Sequence, residues 1–123
     1  MAKKVLIIEN SVHDAKLEKE FLEKEKFIVD VATTGKEGLE KISKAKPDLV
    51  VLDLVLPDMT GYDVCRKIRK DKTFKDMLVI ILSIKSDIAD IAKAFSEGAD
   101  DYIVKPPLPE ILARKLKLYL RAK

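Results

Sequence analysis

Four polar stations in this chain each follow a short apolar run. Glu9-Asn10 comes after residues 5–8, Asp53 after 49–52, Ser83 after 78–82 and Lys105 after 101–104. Taken singly, each has an ordinary explanation, because polar residues at strand ends commonly cap helices or face water. Taken together they form a chemical set. A carboxylate at the end of a central strand, with further oxygen ligands nearby, is the hard-oxygen environment that Mg²⁺ takes; one or two protein carboxylates plus a phosphate suffice. The Ser83 hydroxyl and the Lys105 cation then serve phosphoryl oxygens. The set describes an aspartate, Asp53, that accepts phosphate.

Those stations converge only if the runs before them lie side by side. Residues 5–8 and 49–52 are continuous apolar runs rich in β-branched side chains, the pattern of strands buried on both faces. Residues 27–32, 78–82 and 101–104 complete a set of five strands. Between them the spacing turns helical. Ser11 with Asp14 three residues on resembles a capping box opening a helix with Leu17 and Phe21 on one face. Later helices carry Leu39 and Ile42, then Val64, Cys65 and Ile68, then residues 87–97 ending at Gly98. A last helix starts near Pro109, with Leu112, Leu116, Tyr119 and Leu120 toward the core. The reading is (βα)5: a doubly wound, parallel α/β sheet with right-handed crossovers. Ligands in such sheets bind beyond the carboxyl ends of the strands, where the strand order reverses. The four stations occupy those ends.

Composition narrows the function classes. The chain has 123 residues, 47% hydrophobic and 37% charged, enough for one core under a charged surface. Its four glycines make neither the dinucleotide nor the P-loop phosphate cradle. One cysteine, Cys65, and one histidine, His13, exclude an internal disulfide and a Cys- or His-built metal site. The apolar runs are too short to span a bilayer and no secretory signal is apparent, so a reducing cytoplasm is the expected compartment. The net charge of +3 conceals an asymmetry: residues 1–61 carry ten lysines against twelve acids, whereas residues 62–123 carry fourteen basic residues against nine acids. The basic excess gathers after residue 110, in Arg114, Lys115, Lys117, Arg121 and Lys123.

With these residues in view, the chain resembles the receiver domain of bacterial and archaeal response regulators, over essentially residues 1–123 as one domain. Asp53-Leu54-Val55-Leu56-Pro57-Asp58-Met59-Thr60-Gly61 is similar to the family's D-x-x-[ML]-P-x-x-x-G phosphoacceptor segment. Ile81-Leu82-Ser83 resembles its Ser/Thr segment, and Gly98-Ala99-Asp100-Asp101-Tyr102-Ile103-Val104-Lys105-Pro106 its G-A-x-x-[YF]-[IL]-x-K-P signature. The resemblance implies a flavodoxin-like sheet in the order 2-1-3-4-5. It also implies Mg²⁺-dependent phosphorylation of Asp53 by a sensor histidine kinase or a histidine phosphotransfer protein. Glu9, Asn10, Asp53 and the main-chain carbonyl of Val55 would hold the metal. Ser83 and Tyr102 would form a switch pair, and Lys105 would meet the phosphoryl oxygens, followed by a cis Lys105-Pro106 bond. Such a domain assists only its own phosphorylation and hydrolysis, and signals to a downstream effector through its fourth helix, fifth strand and fifth helix.

The departures carry their own expectations. The family usually has two acids after strand one; Asn10 in the second place removes a negative charge and should weaken Mg²⁺. Ile84 stands where a small residue is usual, and Lys85 and Val55 add no water-orienting group, so self-dephosphorylation should be slow. Pro107 replaces an aromatic. Arg114, Lys117 and Arg121 fall on one helical face, either a solvated stripe favoured by the helix dipole or, with Tyr102, a partner face. A homodimer pairing Arg114 with Asp101 is a further possibility, although Ile91 stands where dimerising receivers carry a basic residue. The stripe is too short, and too poor in aromatics, for direct nucleic-acid binding. Cys65 reads as a core thiol, His13 as a solvated or capping residue, and Asp58 as a loop residue. The alternative from a different class is a phosphorylation-independent pseudo-receiver, a pure interaction module. A phosphohydrolase would want a second acid two residues after Asp53, where Val55 stands.

Overall fold

In the computed structural model, which describes residues 2–121, five strands alternate with five helices. They are β1 (Lys4–Ile8), α1 (Val12–Lys24), β2 (Ile28–Ala32), α2 (Gly35–Ala45), β3 (Leu49–Leu52), α3 (Gly61–Lys70), β4 (Leu78–Ser83), α4 (Ile88–Ser96), β5 (Asp101–Val104) and α5 (Pro109–Arg121). Lys123, counted in the basic C-terminal stretch, lies outside the described residues. All pairings are parallel and the order is β2-β1-β3-β4-β5, so the reversal falls between β1 and β3.

Period-two alternation splits each strand between two cores. Val5, Ile7, Leu49, Val51, Ile80 and Leu82 meet Leu22 of α1 and Leu112, Leu116 and Leu120 of α5. Leu6, Ile8, Val50, Leu52, Val79 and Ile81 meet Ile42 of α2, Val64, Cys65 and Ile68 of α3, and Ala94 of α4. Ile7, Ile8, Leu52 and Ile81 are fully buried. Each such side chain contributes roughly 1.5–3 kcal/mol relative to exposure. The helices begin where the chain supplies caps: Ser11 accepts from the Asp14 N–H, Thr34 from Glu37, and Thr60 with Asp63 forms a reciprocal capping box.

One helix departs from the sequence reading. α1 buries Ala15, Glu18 and Leu22, and leaves Leu17 38% exposed with Phe21 only half-buried. The docking of α1 on β2 and the sheet rotates its inner stripe by one residue, so a glutamate takes a place that the apolar spacing had assigned to leucine. Element ends otherwise differ by a residue: β2 starts at Ile28, and α4 runs from Ile88 to Ser96. Among the described residues no helix is long and apolar enough to cross a membrane.

Candidate functional site: a lysine held by three carboxylates

The hydrogen-bond ladder runs one residue past the strands, and this carries the stations to a common edge. Glu9 N–H donates to the Ala32 carbonyl, Asp53 N–H to that of Ile8, and Lys105 N–H to that of Ser83, at 2.9, 3.0 and 2.8 Å. Their side chains therefore leave the sheet together. Lys105 Nζ donates to Asp53 Oδ2 at 2.8 Å and to Glu9 Oε1, and also to Asp14 Oδ2 at 2.9 Å. An ammonium has three protons, and all three are committed. Glu9, Asp53 and Ser83 are buried, and the Lys105 side chain is 8% exposed. The Lys105-Pro106 bond is cis.

The electrostatics follow from crowding negative charge around one cation. Burial, aided by the Asp53 charge and opposed by Lys105, pushes Glu9 up to about 7. Burial works against the charge on Lys105, but the bonds from Asp53, Glu9 and Asp14 outweigh it and hold the ammonium well above the ordinary lysine range. Glu18, one helical turn beyond Asp14, is 3% exposed, and its Oε1 has no hydrogen-bond partner. Burial first, then the Glu9 charge, raises it to about 8. Sequence reasoning missed both helix residues. Along the chain Asp14 reads only as a cap, and Glu18 interrupts the apolar spacing with nothing beside it in sequence to show what it meets.

The remaining stations are placed around this centre. Asp53 Oδ1 accepts the Val55 N–H at 3.0 Å, which fixes the plane of the carboxylate. Asn10 and Val55 are exposed next to Glu9 and Asp53. The donors expected for a metal are thus two carboxylates that converge on Lys105, with the Asn10 amide oxygen and the Val55 carbonyl as neutral partners, and no group of three His, Cys, Asp or Glu side chains is placed to hold a metal among the described residues. Two carboxylates and neutral oxygens fit Mg²⁺, which takes few protein ligands and keeps several waters. Ser83 Oγ accepts the Lys85 N–H at 3.3 Å, and Tyr102 Oη donates to the Lys85 carbonyl at 2.6 Å, so the two side chains expected to act as a switch pair meet on one loop residue.

The loop after Asp53 is held from two sides. Gly61 N–H donates to the Leu54 carbonyl, and a Cβ at Gly61 would lie 2.3 Å from the Asp53 carbonyl oxygen, so only glycine lets α3 begin there. Asp58 accepts from the Gly35 and Lys36 N–H groups at 2.8 and 2.9 Å, and these backbone bonds lower its pKa. It tethers the loop to the start of α2. Cys65 is buried in the core, where desolvation raises its thiol pKa. His13 is exposed.

The residues grouped as a partner face are not contiguous. Tyr102 packs on the sheet face that carries α2, α3 and α4. Arg114, Lys117 and Arg121 instead line a groove of about 550 Å³ with Phe21, Lys24 and Glu25 of α1, where Lys117 pairs with Glu25. Asp101 is engaged within the chain by Lys115 Nζ at 2.8 Å and Tyr119 Oη at 3.1 Å.

A doubly wound sheet with an aspartate, a lysine and a hydroxyl at the carboxyl ends of its strands defines a receiver-type domain. The response regulator receiver domain family model matches residues 5–117, and the chain belongs to that family. It is 43% identical over 112 residues to the response regulator ArlR of Staphylococcus saprophyticus, covering 90% of this chain and 50% of that protein. It is 36% identical over 118 residues to the transcriptional regulatory protein ResD of Bacillus subtilis, covering 96% of this chain and 48% of that one. The chain thus spans about half the length of these relatives. A CheY-like receiver domain protein from Methanospirillum hungatei superposes with a TM-score of 0.92 at 31% identity, covering 99% of this chain and 96% of the other. A response regulator from Chloroflexus aurantiacus gives 0.95 at 29%, covering 98% and 99%.

Proposed function

We propose that this chain is a phosphoacceptor in two-component signalling, phosphorylated on Asp53 by a sensor histidine kinase or a histidine phosphotransfer protein. The observation that carries the reading is Lys105 Nζ bridging the buried carboxylates of Asp53 and Glu9. In the transfer, an Asp53 oxygen attacks the donor phosphorus and a P–O bond forms. The P–N bond to the partner's imidazole breaks, and its electron pair leaves with the imidazole nitrogen, which takes a proton from solvent. Val55 N–H holds the carboxylate plane for the attack. Lys105 exchanges its bond to Asp53 for one to the incoming phosphoryl oxygens. Glu9, Asn10, Asp53 and the Val55 carbonyl would hold Mg²⁺, which when bound would supply positive charge to the phosphoryl oxygens. The domain catalyses no reaction on another substrate.

The readout starts at Lys85. When Ser83 Oγ turns to the phosphoryl group, the Lys85 N–H loses its acceptor, the loop shifts, and Tyr102 releases the Lys85 carbonyl and turns inward. A face that includes Tyr102 then engages a downstream effector or a second copy of the chain. The basic face of Arg114, Lys117 and Arg121 is a second contact surface, on the α1 side.

The test is incubation with phosphoramidate and Mg²⁺, read by intact mass, with Asp53→Asn as control. Addition of one phosphoryl group, absent from the control, supports the reading. No addition from phosphoramidate or from a kinase phosphodonor would favour the pseudo-receiver, the reading to which Asn10 points.

A further inference from the structure

Glu18 is a polar side chain the phosphoryl chemistry does not use. It lines a pocket of about 340 Å³ between α1 and the segment entering α5, beside but separate from the Asp53 carboxylate. That volume lies within the range of small-molecule sites, roughly 300–1,000 Å³. The walls are apolar: Leu17 and Phe21 from α1, Ile84 from the β4–α4 loop, and Pro106 and Pro107. The polar lining is Asp14, Glu18 and Lys105. A carboxyl oxygen buried without a partner is costly, and here it belongs to a side chain that lines an otherwise greasy pocket.

The charge inventory selects the ligand. Every proton of Lys105 is already donated to Glu9, Asp14 or Asp53, so the pocket presents no free cation. What it presents is carboxyl groups: Glu18, which lines the pocket and whose buried Oε1 has no partner, and Asp14, whose side chain remains 37% exposed. An anion meets repulsion there. A bare metal ion meets apolar walls and no trio of donor side chains among the described residues.

We propose that this pocket binds an organic cation, an ammonium group on a short apolar or aromatic body, with its charge against Glu18 and Asp14 and its body against Phe21, Ile84 and the two prolines. The ammonium gives the otherwise unpaired Glu18 carboxyl a donor, and the Phe21 ring adds an aromatic surface suited to a cation. Binding exchanges charge for a proton. Glu18 is raised to about 8, facing Glu9, Asp14, Asp53 and Lys105, so an arriving cation displaces the proton that Glu18 carries at neutral pH. The inference does not require Asp53 to be phosphorylated.

The probe is phenethylammonium chloride, titrated into the whole chain and followed by amide chemical shifts, with 2-phenylethanol as the neutral analogue and phenylacetate as the anion. The expected result is saturable shifts confined to residues 14–21, 84 and 105, with binding about tenfold tighter than for the alcohol and none for the anion. Glu18→Gln lowers the affinity about tenfold, and Glu18→Leu, which keeps an apolar fill should the amide unfold the chain, abolishes the preference over the alcohol. In the wild type the affinity rises between about pH 6 and about pH 9, a range in which an alkylammonium keeps its proton, while Glu18→Gln keeps only the smaller rise that Glu9 contributes. Equal binding of alcohol and ammonium, equal binding by Glu18→Gln, shifts elsewhere, or no saturable shift would each overturn the proposal.

Discussion

Lys105 Nζ lies 2.9 Å from Asp14 Oδ2, and Asp14 is anchored by its own main-chain N–H, which donates to Ser11 Oγ at 3.2 Å. The first turn of α1 is thereby clamped to the lysine proposed to meet the phosphoryl group, across 91 positions of sequence.

Because Asp14 offsets the Lys105 charge and faces any incoming phosphoryl group, Asp14→Asn should raise the rate of phosphoramidate-driven phosphorylation about threefold. The pair is part-exposed, so stability should change by less than about 1 kcal/mol. A mass time course and a urea titration on the same preparation check both. A slower reaction would mean that Asp14 serves by orienting Lys105.

Glu18 makes stability fall with pH. Its carboxyl stands at about 8 in the fold against an ordinary 4.5, so between these values the folded chain binds more protons than the unfolded one. The contribution is complete below about 4.5 and is lost as pH rises through about 8, a loss on the order of 5 kcal/mol for this buried group. Glu9, raised to about 7, acts in the same direction. Glu18→Leu should be more stable than wild type at alkaline pH, with a much flatter profile. Urea midpoints near pH 5.5 and pH 8.5 give the comparison.

Replacing a neutral oxygen ligand by a carboxylate strengthens a hard-cation site. Asn10→Asp should bind Mg²⁺ about tenfold more tightly by calorimetric titration. Equal affinity would show that Asn10 lies outside the metal's coordination.

Gly61→Ala puts a methyl 2.3 Å from the Asp53 carbonyl oxygen and 2.7 Å from Leu54 Cα, both of them backbone atoms with little room to move. A cost of about 3 kcal/mol is expected. Since the displaced segment carries Asp53, phosphorylation should drop as well, and denaturation with intact mass would register both effects.

Ile84 is 70% exposed on the loop after Ser83 and lines the pocket that Lys105 borders. Its bulk should shield a phosphoaspartate from water, so Ile84→Ala should shorten the phosphorylated lifetime about threefold. Mass decay after removal of the donor measures this. An unchanged lifetime would clear Ile84 of that role.

Much of this protein is readable along the chain. Strands announce themselves because residues buried on both faces must be apolar in unbroken runs, as residues 49–52 are, and a polar residue directly after such a run marks the strand's end. In a parallel sheet those ends share one edge, so Glu9, Asp53, Ser83 and Lys105 follow from order and pattern. Gly61 and Pro109 mark helix starts for reasons equally local.

What the tertiary structure decided is rotation. A helix has a face every 3.6 residues, and spacing alone does not say which of two adjacent stripes meets the sheet. Leu17 and Phe21 looked like the inner stripe of α1; docking turned Ala15, Glu18 and Leu22 inward, set Glu18 in a pocket, and brought Asp14 to Lys105. The same holds for α5, where Arg114, Lys117 and Arg121 share a face but only packing sends it toward α1 and away from Tyr102. Which residues end a strand is a local property of the chain, whereas which carboxylate reaches a given lysine depends on the angle at which two distant elements pack, and that angle is set by the whole core.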